Sequence, residues 1–357
     1  MLGAPALARK WKPACPYPVN AAPDRLIRTV VGLRPFRPSG FVVRREALGT
    51  KALVHNYGHG GGGITLSWGT ARLAIGLGLP DHAGPVAVIG CGAVGLATAR
   101  LCQEAGRPVT IYAAALPPET TSNIAGGQWY PSMTYKAARA SKAYLDQLVA
   151  ACNYSYRRFQ IMTGDAYGVR WMRNYSMSNH PYDIEEEPLL ASMMPQRRLL
   201  SADENPFPLP YVKQWDGMLI EPPRFLRGML KDFHIAGGRV KVRRFRHPAE
   251  LAALPETLIF NCTGLGAREL FGDAELTPVR GQLAVLEPQP EVDYATISPG
   301  GLYMFSRNDG VILGGTHDEG VWDTTPDEAV TRRIMAGNRA IFDHMRCRPK
   351  GPRPLLS

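Results

Sequence analysis

The sequence predicts an α/β fold in which a parallel, doubly wound sheet is joined to a second, mixed sheet. Three observations predict it. An apolar run, "PVAVIG" (85–90), enters a tight glycine turn and a helical stretch, and another strand, "PVTIYAA" (108–114), follows. That strand–turn–helix–strand order is the βαβ unit of a doubly wound sheet. A second apolar strand, "TLIFNCTG" (257–264), also runs into a glycine turn. Finally, "GQLAVLE" and "GLYMFSRNDGVILGGT" (301–316) alternate as antiparallel strands do, the latter a hairpin turning at Asn308-Asp309-Gly310.

Taken in order, the first 25 residues, rich in Pro and Ala, read as an irregular arm. "RTVVGLRPFRPSGFVV" (28–43) reads as a strand, a Pro-punctuated turn and a second strand, and "KALVHNY" (51–57) as a third. A glycine run follows, then helical spacing in "TLSWGTARLAIGLGL" (65–79), which ends at Pro80. "DHAG" (81–84) is a linker to the fingerprint strand, and "AVGLATARLCQEAG" (93–106) is a helix closed by glycine. From about 135 to 215 the pattern is mixed, with a helix near 137–152 and loops that include the acidic "IEEE" at 184–187. "PPRFLRGMLKDFHIAGG" (222–238) reads as a helix, "RVKVRRF" as a strand, and residues 327–345 as a late helix.

Composition narrows the function. The 357 residues, 45% hydrophobic and 20% charged, suit about two soluble domains. No apolar run reaches the roughly 18 residues of a membrane span, and the N-terminus lacks the pattern of a secretory signal. The expectation is a cytoplasmic protein without a membrane partner. Six cysteines lie scattered without a C-x-x-C pair or a His/Cys cluster, which argues against a metal site or a disulfide framework and for reduced thiols. The net charge of +10 raises a nucleic-acid partner, but the basic clusters at 239–247 and 346–354 are short. They read as a solvated or anion-attracting face, with no nucleic acid expected.

The glycines carry the chemistry. Gly90, Gly92 and Gly95, with Cys91, Ala93 and Val94 between them, form a G-x-G-x-x-G turn. Such a turn lets backbone approach a pyrophosphate while the helix N-terminus supplies N–H groups and positive potential. One customary part is missing. The second strand ends in Ala113, Ala114 and Ala115, where an acidic residue usually meets the ribose hydroxyls. Thr120, Thr121 and Ser122 stand nearby and could bond ribose or phosphate instead. Thr263 and Gly264 form the second strand-to-glycine turn, and Gly127 and Gln128 belong to "GGQW" (126–129), where backbone is expected to pack against something flat. "LVHNYGHGGGGITLSWGTA" (53–71) places four glycines in succession before a helix.

Together these blocks resemble the D-amino-acid oxidase family of flavoproteins. The 53–71 block fits that family's most diagnostic segment, and "TTSNIAGGQWYPS", "FNCTGLGA", "TPVRGQL", "LYMFSRNDGVILGGT" and "GLRPFRP" look like family segments. The resemblance implies a Rossmann-like FAD-binding domain of the glutathione-reductase type plus a mixed β-sheet substrate domain. It implies non-covalent FAD and oxidative deamination of D-amino acids by hydride transfer to flavin N5, giving 2-oxo acids, ammonia and, with molecular oxygen, hydrogen peroxide. An amine or glycine-type oxidase or dehydrogenase using another acceptor is the alternative. By the same resemblance Gly60, Gly61, Gly63, Ile64 and Thr65 line the flavin ring, with the Gly61 carbonyl facing the substrate amine. Arg34 and Tyr303 clamp the substrate carboxylate, and Tyr130 borders the substrate. His55 and His59 are expected to be structural. The partners implied are an amino-acid or amine substrate and oxygen, with room for a homodimer.

The block order differs from the family's, in which the fingerprint opens the chain and the "GLRP" and "HNYGHGG" segments close it. A circular permutation is therefore expected, which a compact domain with adjacent termini tolerates. The expected FAD domain comprises 49–135 and 215–275. The expected substrate domain comprises 1–48, 136–214 and 276–357.

Overall fold

A computed structural model describes residues 15–182, 190–347 and 349. The acidic stretch 184–187 and the first 14 residues of the arm lie outside the described residues. The chain enters through β1 (Leu26–Phe36), turns at Arg37–Gly40, and runs through the antiparallel pair β2 (Val42–Leu48) and β3 (Lys51–Tyr57). The glycine run coils into a single 3-10 turn, Gly60–Gly62, which leads into α1 (Gly63–Gly78). The βαβ unit follows as β4 (Val86–Ile89), α2 (Ala93–Glu104) and β5 (Val109–Ala113). Next come α3 (Thr121–Ile124), α4 (Lys142–Gln160), β6 (Val169–Ser178), β7 (Arg198–Leu199) and β8 (Tyr211–Ile220). Then α5 (Pro222–Ile235), β9 (Arg239–Val242), α6 (Pro248–Ala252), β10 (Leu258–Asn261) and α7 (Gly266–Phe271) return the chain to the parallel sheet. The last part comprises β11 (Thr277–Leu286), β12 (Tyr294–Ser298), the hairpin β13 (Leu302–Arg307) and β14 (Gly310–Gly314), β15 (Asp318–Glu319), and α8 (Glu328–Asp343).

Two sheets result. One has the order β2-β3-β10-β4-β5-β9, parallel except for β2. The other runs β1-β11-β14-β13-β12-β6-β8-β7, with β15 added on β11. The four β4 residues are all buried, as a strand covered on both faces requires. Helices α1, α2, α4 and α5 supply Trp68, Leu96, Phe159, Phe225 and Phe233 to the largest apolar cluster, while α8 caps a second around Tyr294, Phe207 and Phe342.

Several expectations need correction. The helix expected near 137–152 spans Lys142–Gln160, because the Ser141 hydroxyl accepts from the Tyr144 amide at 3.1 Å and caps it there. The stretch read as mixed contains β6 and β8, paired from Val169↔Ile220 to Ser178↔Tyr211. Residues 42–48 belong to the parallel sheet by pairing with β3, and position 215 falls inside β8, so the expected domain boundaries at 48 and 215 cut through sheet pairings. The thiols are not all free: Cys15 and Cys347 form a disulfide with Cα atoms 5.7 Å apart. A separation of 332 residues gives no sequence spacing to read, since only the fold brings the two together. Cys91, Cys152 and Cys262 are buried free thiols whose pKa values burial pushes up to about 12. Among the described residues no helix is long and apolar enough to cross a membrane, and no cluster of three metal-ligating side chains occurs.

Candidate active site

One cavity of about 1150 Å3 runs from the carboxyl ends of β4, β5 and β10 to the faces of β1, β11 and β13. Its position follows the rule that doubly wound sheets bind ligands beyond the carboxyl ends of their strands. Gly90, Gly92, Ala93 and Val94 line one end, and Gly60, Gly61, Gly63, Ile64 and Thr65 line the other with Arg34 and Tyr303. Thr120, Thr121, Ser122, Gly127, Gln128, Tyr130, Thr263 and Gly264 line the cavity as well. Residues far apart in the chain thus meet in one space. Gly95 is the exception, absent from the wall and buried in the first turn of α2, where a Cβ would lie 2.1 Å from the Gly90 carbonyl oxygen.

The glycine turn is built for close backbone approach. Gly90 has φ +114°, and a side chain there would strike the Cys262 carbonyl at 2.4 Å. The Ser122 hydroxyl accepts from the Ala93 amide at 3.1 Å and so ties α3 to the start of α2. Across the cavity, Asn261 accepts from both the amide and the hydroxyl of Thr263, at 3.2 and 2.8 Å, and fixes the second turn. Gln128 donates to Asn174 at 2.7 Å, which pins the "GGQW" segment to β6.

At the far end, Gly60 has φ +55° and packs so tightly that a Cβ would stand 1.9 Å from the Met133 carbonyl. The helix α1 therefore presents its N-terminus to the cavity through bare backbone, a favourable setting for developing negative charge. The Thr65 hydroxyl donates to the Tyr130 carbonyl at 3.1 Å and accepts from the Tyr130 amide at 3.2 Å. It thereby locks the Tyr130 segment against the helix start.

Arg34 sits on β1 opposite Val279 of β11 and donates through Nη1 to the Thr316 carbonyl at 3.2 Å. Its guanidinium lies over Gly281, where a Cβ would meet Nη1 at 2.3 Å, so glycine leaves the room the fork occupies. Arg34 stands beside the Tyr303 hydroxyl; burial raises the phenol's pKa and the arginine's charge opposes that rise. The Tyr303 ring stacks on Phe305 at 4.9 Å and covers Gly314 and Gly315. Just beyond β1, Arg37 pairs with Asp273 at 2.8 Å and Glu275 at 2.7 Å, which anchors the strand that carries Arg34.

The two histidines of the glycine block are committed to structure. His55 Nδ1 accepts from Asn261 at 2.9 Å and its Nε2 lies 3.0 Å from Glu46. His59 bonds Thr70 at 2.9 Å and stacks on Phe41. Burial depresses the His59 pKa to about 3. The unfolded chain, with a histidine near 6.5, then binds more protons than the native one between about pH 3 and 6.5, so stability falls as pH drops through that window. Thermal melts from pH 7 to pH 5 should show a smaller loss in His59→Gln than in the wild type; equal losses would show that other groups set the acid sensitivity.

Some cavity residues carried no sequence signal as site residues. His317 lines the wall near Arg34, and burial together with that positive charge lowers its pKa. The run Arg243–His247, expected to be a solvated or anion-attracting face, lines the cavity beside the end of β5. Its position was legible only through the parallel pairing of β9 with β5.

A cavity of this length, with a phosphate turn at one end and an arginine–tyrosine pair at the other, suits a dinucleotide cofactor reaching a small anionic substrate. The chain belongs to the FAD dependent oxidoreductase family (DAO), whose model matches residues 6–77 and 85–355. It is 31% identical over 261 residues to the D-amino-acid oxidase of Streptomyces coelicolor, covering 71% of this chain and 77% of the relative. It is 29% identical over 255 residues to the D-amino-acid oxidase of Dictyostelium discoideum, covering 70% of each chain. Among solved structures the glycine oxidase from Bacillus cereus ATCC 14579 is similar in fold, with TM-score 0.54 and 16% identity over 72% of this chain and 78% of that one. The protein is thus an FAD-dependent oxidoreductase with a mixed α/β fold, as the resemblance implied. The cradle fits that cofactor: backbone is bared at Gly90 and Gly60, where any side chain would collide with a carbonyl.

Proposed function

We propose that the protein oxidises D-amino acids to imino acids, which water converts to 2-oxo acids and ammonia, and that oxygen is reduced to hydrogen peroxide. The observation that carries this reading is the pairing of Arg34 with Tyr303 in the cavity that the Gly60–Thr65 segment also lines. FAD, when bound, supplies a two-electron acceptor. Arg34 binds the substrate carboxylate through two parallel N–H donors, a geometry lysine cannot offer. Tyr303 adds a hydroxyl donor to the same carboxylate and, by stacking on Phe305, holds one edge of the pocket. The Gly61 carbonyl accepts from the substrate amine. Its backbone stays accessible because a Cβ at Gly61 would fall 2.8 Å from the Ser132 carbonyl oxygen, which leaves no room for a side chain. Gly60 to Thr65 orient the α1 dipole toward the ring end. No general base is required, since an amine deprotonated in solution is already the reactive form.

Two finer points belong to the same reading. We propose that the chain is a circularly permuted member of its family: the "GLRP" and "HNYGHGG" segments precede the glycine fingerprint here, and the former termini would be joined in the α1–β4 connection, which the family match at 6–77 and 85–355 leaves uncovered. The two-domain division is proposed along the sheets and not at 48 and 215, so that β2 belongs with the six-stranded sheet and β8 with the nine-stranded sheet.

Purified yellow protein assayed on a panel of D- and L-amino acids should release peroxide and ammonia with D-isomers. A protein that reduces a dye but consumes no oxygen would favour the dehydrogenase alternative, and a flavin spectrum unmoved by every D-amino acid would remove the reading. Tyr303→Phe should raise KM about ten- to a hundredfold with a small change in kcat, the value of one hydroxyl hydrogen bond to a charged group. An unchanged KM would take the hydroxyl out of the clamp.

A further inference from the structure

We propose that the adenosine end of FAD is held by the cationic segment Arg243–His247, chiefly by Arg244 and Arg246, in place of an acidic ribose anchor. The proposal rests on the FAD dependence of the family. In a doubly wound sheet the ribose lies beyond the end of the strand that follows the glycine-turn helix. Here that strand is β5, and Ala113, Ala114 and Ala115 offer it no polar side chain. The next strand in the sheet, β9, runs parallel with Ala113 opposite Val242, and the Arg243 amide donates to the Ala113 carbonyl at 2.9 Å. The chain leaving β9 is therefore carried directly across the place where the acid would stand.

That segment is held in shape. His247 and Glu250 form a capping box at the start of α6, and the Glu250 carboxylate accepts from the amides of Arg246 and His247 at 2.7 and 3.0 Å. Arg243 lies 4.6 Å over the Phe245 ring, and Phe245 meets Tyr112 edge-on at 5.9 Å. The Glu250 carboxylate is thus spent on backbone and on Arg243, 3.7 Å away. Among the described residues the side chains of Arg244 and Arg246 make no ion pair or hydrogen bond, yet both residues line the cavity. Guanidinium groups donate to ribose oxygens and adenine ring nitrogens and stack on the adenine face. They also favour the nearby pyrophosphate, whose two negative charges an acidic anchor would repel.

Two carboxylates, Glu119 and Glu269, also line the cavity and supply the competing reading, of which Glu119 is nearer in sequence to β5. The test titrates FAD into the flavin-free protein and reads Kd from quenching of flavin fluorescence. Arg244→Gln/Arg246→Gln should raise Kd about tenfold and weaken its dependence on NaCl, whereas Glu119→Gln should stay within twofold of the wild type. ADP, competed against FAD, should lose affinity by a similar factor, because it carries the adenosine and pyrophosphate alone. Arg244→Lys/Arg246→Lys should recover part of the loss, and melting of the flavin-free variants near the wild-type temperature checks the fold. An unchanged Kd in the glutamine double variant, or a tenfold loss in Glu119→Gln instead, overturns the proposal. A wild-type protein that binds no FAD would contradict the family reading itself, a different result from either.

Discussion

Arg34→Ala is expected to lower kcat/KM for a D-amino acid by about a hundred- to a thousandfold, chiefly through KM, with the flavin still bound. The expectation follows from what the side chain leaves behind. A buried charge pair that loses one partner typically costs about 2–5 kcal/mol, and each 1.4 kcal/mol is a tenfold change. Arg34→Lys should lose most of the same affinity, since an ammonium keeps the charge but not the two parallel donors. Gly281→Ala offers a sharper version of the test. Its new methyl would stand 2.3 Å from the Arg34 Nη1, so the fork must move although its charge stays. KM should then rise about tenfold without loss of the yellow chromophore. Oxygen-electrode kinetics and a visible spectrum on each variant check this. A KM unchanged in Arg34→Ala would remove the residue from the carboxylate site, whatever the fate of the flavin.

The parts legible in the sequence were those whose physics is local. The turn at Gly90–Gly95 is bounded by a fully apolar strand and a helix, and one of its glycines, Gly95, is forced by a contact within the turn, against the Gly90 carbonyl. The parallel unit β4–α2–β5 and the hairpin β13–β14 were readable for the same reason, since period and turn chemistry sit inside one short window. What escaped depended on pairing between distant segments. β6, "VRWMRNYSMS", alternates poorly and gains its place from β8, across a connection of more than thirty residues, and from β12 on its other edge. Residues 243–247 read as a charged surface until β9 is laid beside β5. His317 reads as an ordinary residue after a hairpin until β1 brings Arg34 to it. The arginine itself was found through a family resemblance; its spacing alone would have made it one of many.

Reducing the Cys15–Cys347 disulfide is expected to lower the melting temperature by several degrees while leaving FAD bound at 25 °C. The chain segments on both sides are already docked without it. The Tyr294 hydroxyl donates to the Tyr17 carbonyl at 2.8 Å, and Gln289 exchanges hydrogen bonds with the Asn20 backbone at 2.7 and 3.0 Å. On the other side, Arg346 donates from its amide to the Pro206 carbonyl at 2.8 Å and from its side chain to the Pro208 carbonyl at 3.0 Å. The native state therefore loses little when the bond opens, and the effect falls on the unfolded chain. A link across 332 residues closes nearly the whole chain into a loop, for which the chain-entropy account gives stabilisation of up to about 5 kcal/mol and typical experience about 2–4 kcal/mol. In a chain this long each kcal/mol moves the melting temperature by no more than about 2 °C. The Cys15→Ser/Cys347→Ser variant should melt where the reduced wild type does and should ignore added reductant. If full reduction, verified by alkylation and mass, leaves the wild-type melting curve in place, the restraint acts only on segments that fray before the fold opens, and the cavity owes it nothing.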